Sequence, residues 1–235
     1  MIMSNCCDRC KNRLCASKVP IFSNLSDSEL IDIIKMTGHE EFKKGDTICF
    51  EGLEANTLYI INQGEIKLFK HTKDGKEQIL HILTTGDFFG ELNLLKGGHY
   101  SFSAEAITST KLCTLTKDKM KSIILEKPGI ALKIMETLAD RLSSLETLAQ
   151  NLATNEVEVR LAYMLLELKK EYGKETSEGI EMKIPITRED MSNYTGVARE
   201  TVSRKLKTFE EEGVIKLVGN KKIIILDEER LKLMQ

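Results

Sequence analysis

The stretch IPITREDMSNYTGVARETVSRKLKTFEEEGVIKLVGNKKIIILD, Ile184–Asp227, decides the fold of this 235-residue chain. TREDMSNYTGV reads as a capped helix ending at Gly196, a residue able to make a tight turn. ARETVSRKLKTFEEEG follows at once as a second helix stopped by Gly213. Two short helices joined through Gly-Val make a helix-turn-helix. VIKLVGNKKIIIL then supplies two strands around Gly219-Asn220, a wing. In such a unit the second helix presents its first turn to the major groove of DNA. Arg199, Glu200, Ser203 and Arg204 lie at offsets 0, 1, 4 and 5, on adjacent parts of one helix face. Arginine can pair bidentately with guanine, and glutamate accepts from the cytosine amino group. Lys205, Lys207, Lys221 and Lys222 suit phosphate contacts, which set affinity and salt dependence. Between Ala198 and Thr208 the local net charge is +3, against −2 for the whole chain.

Working back toward the N-terminus, EVEVRLAYMLLELKKEY from Glu156 predicts one more helix. Before it, Met135, Leu138, Leu142, Leu145, Ala149 and Leu152 are spaced alternately three and four apart with no Gly or Pro inside the run. That seam predicts a helix whose apolar stripe runs ~27 Å and pairs with a second copy as a parallel coil. Glu146 lies beside the seam rather than in it. From Val19 to Leu125 the texture is different: short β-branched and aromatic runs broken by glycine. Asp74-Gly75, between EIKLFKH and EQILHIL, is a hairpin signal. Many closely spaced short strands predict a β-sandwich or jelly roll. Helices flank it at LSDSELIDIIKMT and TKDKMKSIILEK, with Ser26 and Thr116 as N-caps.

Hydrophobic content of 41% and charged content of 30% are those of a folded globular protein. No apolar run approaches the ~20 residues that cross a bilayer, and the N-terminus lacks a signal-peptide core. A cytosolic protein without membrane contact is the expectation. Of six cysteines, Cys6, Cys7, Cys10 and Cys15 open the chain in CCDRCKNRLC, while Cys49 and Cys113 lie far down the sequence. In a reducing compartment such a cluster points to metal binding or redox chemistry rather than a disulfide framework.

The order of these pieces resembles the superfamily of the cyclic-AMP receptor protein and the anaerobic regulator FNR, over nearly the full length. GDFFGELNLL, residues 86–95, resembles the signature of its ligand-binding roll, and RETVSRKLKTFEEEGVI, residues 199–215, resembles its recognition helix. The resemblance implies an α+β chain: a cysteine-rich arm over residues 1–18, a cyclic-nucleotide-binding-like β-roll (jelly roll) over 19–127, a dimerisation helix over 128–155 and a winged helix-turn-helix over 156–235. It implies a homodimeric transcription regulator on palindromic double-stranded DNA, working with RNA polymerase. Glu200 and Arg204 fall at the family's base-reading positions. Ser203 matches the FNR-type E-x-x-S-R pattern and Arg199 the cyclic-AMP branch, so TTGAT-like and TGTGA-like half-sites both stand. In the cyclic-nucleotide branch, Gly-Glu-Leu and an Arg-Ser or Arg-Thr pair about ten residues later hold the phosphate. Gly90, Glu91 and Leu92 are present, but Ser101 and Phe102 stand where Arg and Ser belong. No arginine occurs between Arg13 and Arg141, which argues against cyclic AMP and leaves Gly90-Glu91-Leu92 a vestigial pocket.

GHYSF, residues 98–102, resembles the FNR segment instead. The FNR group holds a [4Fe–4S] cluster with three N-terminal cysteines and a fourth on a roll strand, where Cys113 lies. The resemblance therefore implies Cys7, Cys10, Cys15 and Cys113 as ligands, with Cys6 as the alternative to Cys7. The gap between Cys10 and Cys15 is one residue shorter than in the best-known FNR pattern. Four thiolates also suit zinc, Cys10 and Cys15 could form a dithiol switch, and a small ligand in the roll is a further control. His39, His71, His81 and His99 read as structural. An enzyme is the remaining class, a redox thiol enzyme above all, but the chain has no phosphate loop and no nucleophile motif.

Overall fold

Alternating apolar residues and tight glycine turns build most of the N-terminal part as strands, and 3.6-residue periodicity builds most of the rest as helices. The computed structural model describes residue 22 and residues 26–91, 97–153, 156–219 and 221–234. The chain divides into two compact units, residues 1–70 with 81–142 and residues 71–80 with 143–235.

The first unit opens with helix α1 (Asp27–Met36), which starts directly after Ser26. Strands β1 (Gly38–Phe42), β2 (Thr47–Cys49), β3 (Thr57–Gln63), β4 (Ile66–His71), β5 (Glu77–Leu83), β6 (Phe88–Phe89), β7 (Ser103–Ala106) and β8 (Thr110–Thr116) follow, the facing ends of β4 and β5 within residues 71–80 counting with the second unit. They form two four-stranded sheets, ordered β1-β8-β3-β6 and β2-β7-β4-β5, the expected jelly roll. Tyr100, Phe89, Ile61, Ile66, Leu68, Ala104 and Leu112 share one buried apolar cluster. The Asp74-Gly75 turn is present, with Gly75 at φ 74° and the Thr72 N–H donating to the Lys76 carbonyl at 2.8 Å.

A second apolar cluster joins Phe22, Leu30, Ile33, Leu58, Ile60, Phe88 and Cys113 to helices α2 (Lys117–Glu126) and α3 (Pro128–Ala153), through Met120, Ile123, Ile130 and Ile134. Thr116 holds the N-cap position of α2, but its side chain makes no capping hydrogen bond. Helix α3 is 26 residues long, about 39 Å at 1.5 Å per residue.

The second unit contains α4 (Val157–Tyr172), β9 (Gly173–Thr176), β10 (Gly179–Lys183), α5 (Arg188–Thr195), α6 (Arg199–Glu211), β11 (Ile215–Val218), β12 (Lys222–Ile225) and α7 (Glu228–Leu233). The wing strands belong to a four-stranded sheet, β11-β12-β10-β9. Residues 173–183 form a hairpin, and β10 pairs with β12 from Ile180 opposite Ile225 to Lys183 opposite Lys222.

Candidate nucleic-acid interface and sensor sites

Helix α5, the first of the helix-turn-helix, is fixed at both ends by its own sequence. Thr187 and Asp190 form a reciprocal capping box, with Asp190 N–H donating to Thr187 Oγ1 at 3.1 Å and Thr187 N–H to Asp190 Oδ2 at 2.8 Å; this satisfies two amides that a helix start leaves orphaned. Gly196 ends the helix at φ 68°, ψ 27°, a conformation that disfavours any side chain. Its N–H and that of Val197 both reach the Ser192 carbonyl, and Ser192 Oγ donates to the Val197 carbonyl. The turn is thereby locked before α6 begins at Arg199.

Helix α6 buries Val202, Leu206 and Phe209 and leaves Arg199, Glu200, Ser203, Arg204 and Lys207 exposed. The four candidate base-reading side chains therefore share the solvent face. The candidate phosphate contacts divide. Lys207 and Lys221 are exposed, and Lys207 makes a 3.7 Å pair with Glu211 along the helix. Lys205 is half-buried and held by Glu158 of α4. Lys222 is held by Glu181 at 2.6 Å. Lys205 and Lys222 brace the unit in this conformation and would have to exchange a carboxylate for a phosphate to act on DNA. Arg160 of α4 donates to the Thr195 carbonyl at 2.9 Å, a brace on the turn that sequence reasoning missed. Residues 71–80 also cluster here: Gln78 Nε2 donates to the Tyr194 carbonyl at 3.1 Å.

On α3, Met135 (53% exposed), Leu142 (59%) and Leu145 (37%) face solvent as the seam requires, and Ala149 is exposed. Leu138 instead packs against the roll's second cluster, because Ile130, Ile134, Leu138 and Arg141 form the face that the roll covers. Leu132 and Ala139 are exposed in its place. The exposed row runs Leu132, Met135, Ala139, Leu142, Glu146 and Ala149, spaced 3, 4, 3, 4 and 3, so Glu146 stands in the row and not beside it. The side chain of Leu152 lies outside the described residues.

In the roll, Gly90 sits at φ 89° with its Cα so close to the Thr57 carbonyl that a Cβ would lie 2.5 Å from that oxygen; only glycine fits. Glu91 follows at 4% exposure, while Leu92 lies outside the described residues. Ser101 is exposed, and Phe102 packs against Phe89 and Tyr100, so neither supplies an anion contact. A guanidinium nevertheless reaches Glu91, from the helix and not from the roll. Arg141 Nη1 donates to Glu91 Oε1 at 2.7 Å, Nη2 donates to the Phe88 carbonyl, and the guanidinium lies 4.9 Å from the Phe88 ring centroid. The spacing of Arg141 from Ile130, Ile134 and Leu138 is the signal that could have placed it on the buried face. Among the described residues, Glu91 Oε2 and His81 Nε2 are buried without a hydrogen-bond partner.

His81 is held down to about 4, from an ordinary value of 6.5, by burial first and by the Arg141 charge second. Folding therefore excludes a proton that the unfolded chain accepts, so stability is intact above about pH 6.5 and falls as pH drops toward 4, by roughly 3 kcal/mol in all. Urea unfolding at pH 7 and pH 5 should show this loss in the wild type. His81→Leu should show a correspondingly shallower pH dependence; an unchanged one would refute the assignment.

Of the cysteines, Cys49 is buried and its thiol is pushed up to about 12 by burial, an inert core thiol. Cys113 is 9% exposed, with its Sγ 3.6 Å from His39 Nδ1. Cys6, Cys7, Cys10 and Cys15 lie outside the described residues. Among the described residues, no three His, Cys, Asp or Glu side chains converge as a metal site, and no helix is long and apolar enough to cross a membrane.

A β-roll, a long helix with an exposed apolar row and a winged helix-turn-helix together have the build of a DNA-binding regulator. Residues 39–127 match the cyclic nucleotide-binding domain family, and residues 159–234 match the Crp-like helix-turn-helix domain family. The chain is 31% identical over 92% of its length to the CRP-like cAMP-activated global transcriptional regulator of Mycobacterium tuberculosis, covering 96% of that protein. It is 28% identical to the Anaerobic regulatory protein of Bacillus subtilis, over 91% of this chain and 90% of that one. The structure of FixK2 from Bradyrhizobium japonicum aligns with a TM-score of 0.76 at 25% identity, over 85% of this chain and 97% of that one. The chain belongs to the CRP/FNR family of DNA-binding transcriptional regulators.

Proposed function

We propose that this regulator senses oxygen, nitric oxide or redox state through a [4Fe–4S] cluster held by Cys7, Cys10, Cys15 and Cys113, with Cys6 as the alternative to Cys7, and that the cluster controls binding to a palindromic promoter site. One observation carries the reading: Phe22, four residues past the cysteine-rich arm, is buried in the same apolar cluster as Cys113. Phe22 follows Cys15 by seven positions, a span of at most ~25 Å, so the Cys15 thiol is tethered within reach of the strand thiol. The chemistry of the donor set fits, since a cubane takes one thiolate per iron. A bound cluster would supply the iron that oxygen or nitric oxide attacks. The likeness to a protein named as an anaerobic regulatory protein supports the same signal.

The chain's own part is mechanical. Tying the arm to β8 loads the apolar cluster that also contains Ile130 and Ile134, the first turns of α3. The exposed row of α3 pairs with that of a second copy, and Glu146 within it sets like charges against each other across the pair. Arg199, Glu200, Ser203 and Arg204 read a TTGAT-like or TGTGA-like half-site from each protomer, and RNA polymerase is the partner at the promoter, in the cytosol. Anaerobically purified protein should be brown, with about four iron and four sulfide per chain, and Cys113→Ser should lose them. Stoichiometric zinc without iron in the wild type would sink the cluster.

A second reading has its own support. The buried Glu91–Arg141 pair, with Glu91 Oε2 unpartnered among the described residues, is polar machinery of the kind that a small effector in the roll would engage.

A further inference from the structure

We infer that His39 is a positioning residue for the metal centre, donating from Nδ1 to the sulfur of Cys113; this rests on the reading of Cys113 as a cluster ligand. Strands β1 and β8 are antiparallel, and His39 stands directly opposite Cys113 in their register. Residues paired this way project to the same face of the sheet with neighbouring Cβ atoms. Here the contact is made: His39 Nδ1 and Cys113 Sγ are 3.6 Å apart. On its other side Cys113 faces Ile60 of β3, an apolar neighbour with nothing to donate. The next pair on the same face of the β1–β8 ladder, Glu41 and Lys111, closes on itself as an ion pair at 2.9 Å, so His39 is the polar ring the ladder offers to the thiol.

The location raises the value of that contact. Cys113 is 91% removed from solvent and shares its cluster with Phe22, Ile60, Ile130 and Ile134. A thiolate in such surroundings has little water to stabilise its charge, and a hydrogen bond in a low-dielectric site is stronger than at the surface. Imidazole in the tautomer carrying its proton on Nδ1 supplies that bond. A donor to a ligating sulfur draws charge from it and so favours the more negative, reduced form of a cluster. His39 thus sets how readily the centre is oxidised, without itself binding iron. A histidine that reads as structural in the sequence becomes a tuning residue for the signal.

Reconstitution of wild type, His39→Phe and His39→Asn under anaerobic conditions tests this, with iron content, midpoint potential and the decay of the cluster absorbance in air as readouts. Asparagine places an amide N–H close to where Nδ1 stands and restores the donor; phenylalanine fills the space and cannot. All three should hold about four iron per chain. The Phe variant should have a lower midpoint potential and lose its cluster roughly tenfold to a hundredfold faster, as expected for one lost hydrogen bond to a charged group, and the Asn variant should return toward wild type. A Phe variant with wild-type potential and lifetime would overturn the inference and leave the cluster reading standing. A wild type that binds no iron would overturn both. Loss of iron in both variants would make His39 a ligand and overturn its role as a donor.

Discussion

Replacing Arg204 with Ala is expected to weaken binding to the cognate promoter site by at least about 30-fold, while binding to unrelated duplex at the same salt changes far less. Arg204 lies exposed on α6, on the face opposite Val202, Leu206 and Phe209, so the substitution removes the proposed reading group and leaves the packing intact. A bidentate arginine–guanine contact is worth about 1–3 kcal/mol of discrimination. A palindrome doubles that to about 2–6 kcal/mol, or roughly 30-fold to 10⁴-fold. Lys207 and Lys221, proposed as phosphate contacts, are unchanged in the variant, so the salt dependence should change little. Fluorescence anisotropy on specific and scrambled duplexes separates the two effects. Equal losses on both would mean that Arg204 serves the phosphate backbone and that another residue reads the sequence.

The second large effect is on stability. Arg141→Ala should destabilise the fold by roughly 3–5 kcal/mol, because it strips the partner from a carboxylate that is 4% exposed and leaves it charged in an apolar interior. The same substitution removes the donor to the Phe88 carbonyl and the cation above the Phe88 ring. Burying a matched pair carries a desolvation cost that apolar groups of similar size avoid. Glu91→Leu combined with Arg141→Met is therefore expected to recover most of the loss in urea unfolding, although neither change alone does. A double variant as unstable as Arg141→Ala would show that the lost packing of the arginine stem, not the orphaned charge, dominates.

The helix-turn-helix was legible because every determinant is local. Thr187, Asp190 and Gly196 mark the ends of α5 within nine residues of each other, and the buried Val202, Leu206 and Phe209 recur at helical spacing. The Asp74-Gly75 turn was legible for the same reason. The β9–β10 hairpin was not, since β9 is exposed at every position and carries no alternating pattern; pairing with β12, whose Ile223, Ile224 and Ile225 are all buried, defines it. Two apolar tracks run along α3, and only the roll decides which is covered: it takes Leu138 and leaves Ala139 outside. Arg141 was not legible because its partner is 50 residues away and it sits on helix α3, outside the roll. Beside Gly90, the roll holds a buried ion pair, Glu91 with Arg141.

The central claim, that a cluster spanning the arm and β8 controls DNA binding, is tested most directly by one titration. A single anaerobic preparation, brown and loaded, is divided; half is kept intact, half is exposed to air or nitric oxide until its cluster absorbance is gone, and both are titrated with the promoter duplex. The account expects the two affinities to differ by at least tenfold, the factor that about 1.4 kcal/mol of coupling represents, with Cys113→Ser behaving as the cluster-free form does. Equal affinities for loaded and cluster-free protein would contradict it.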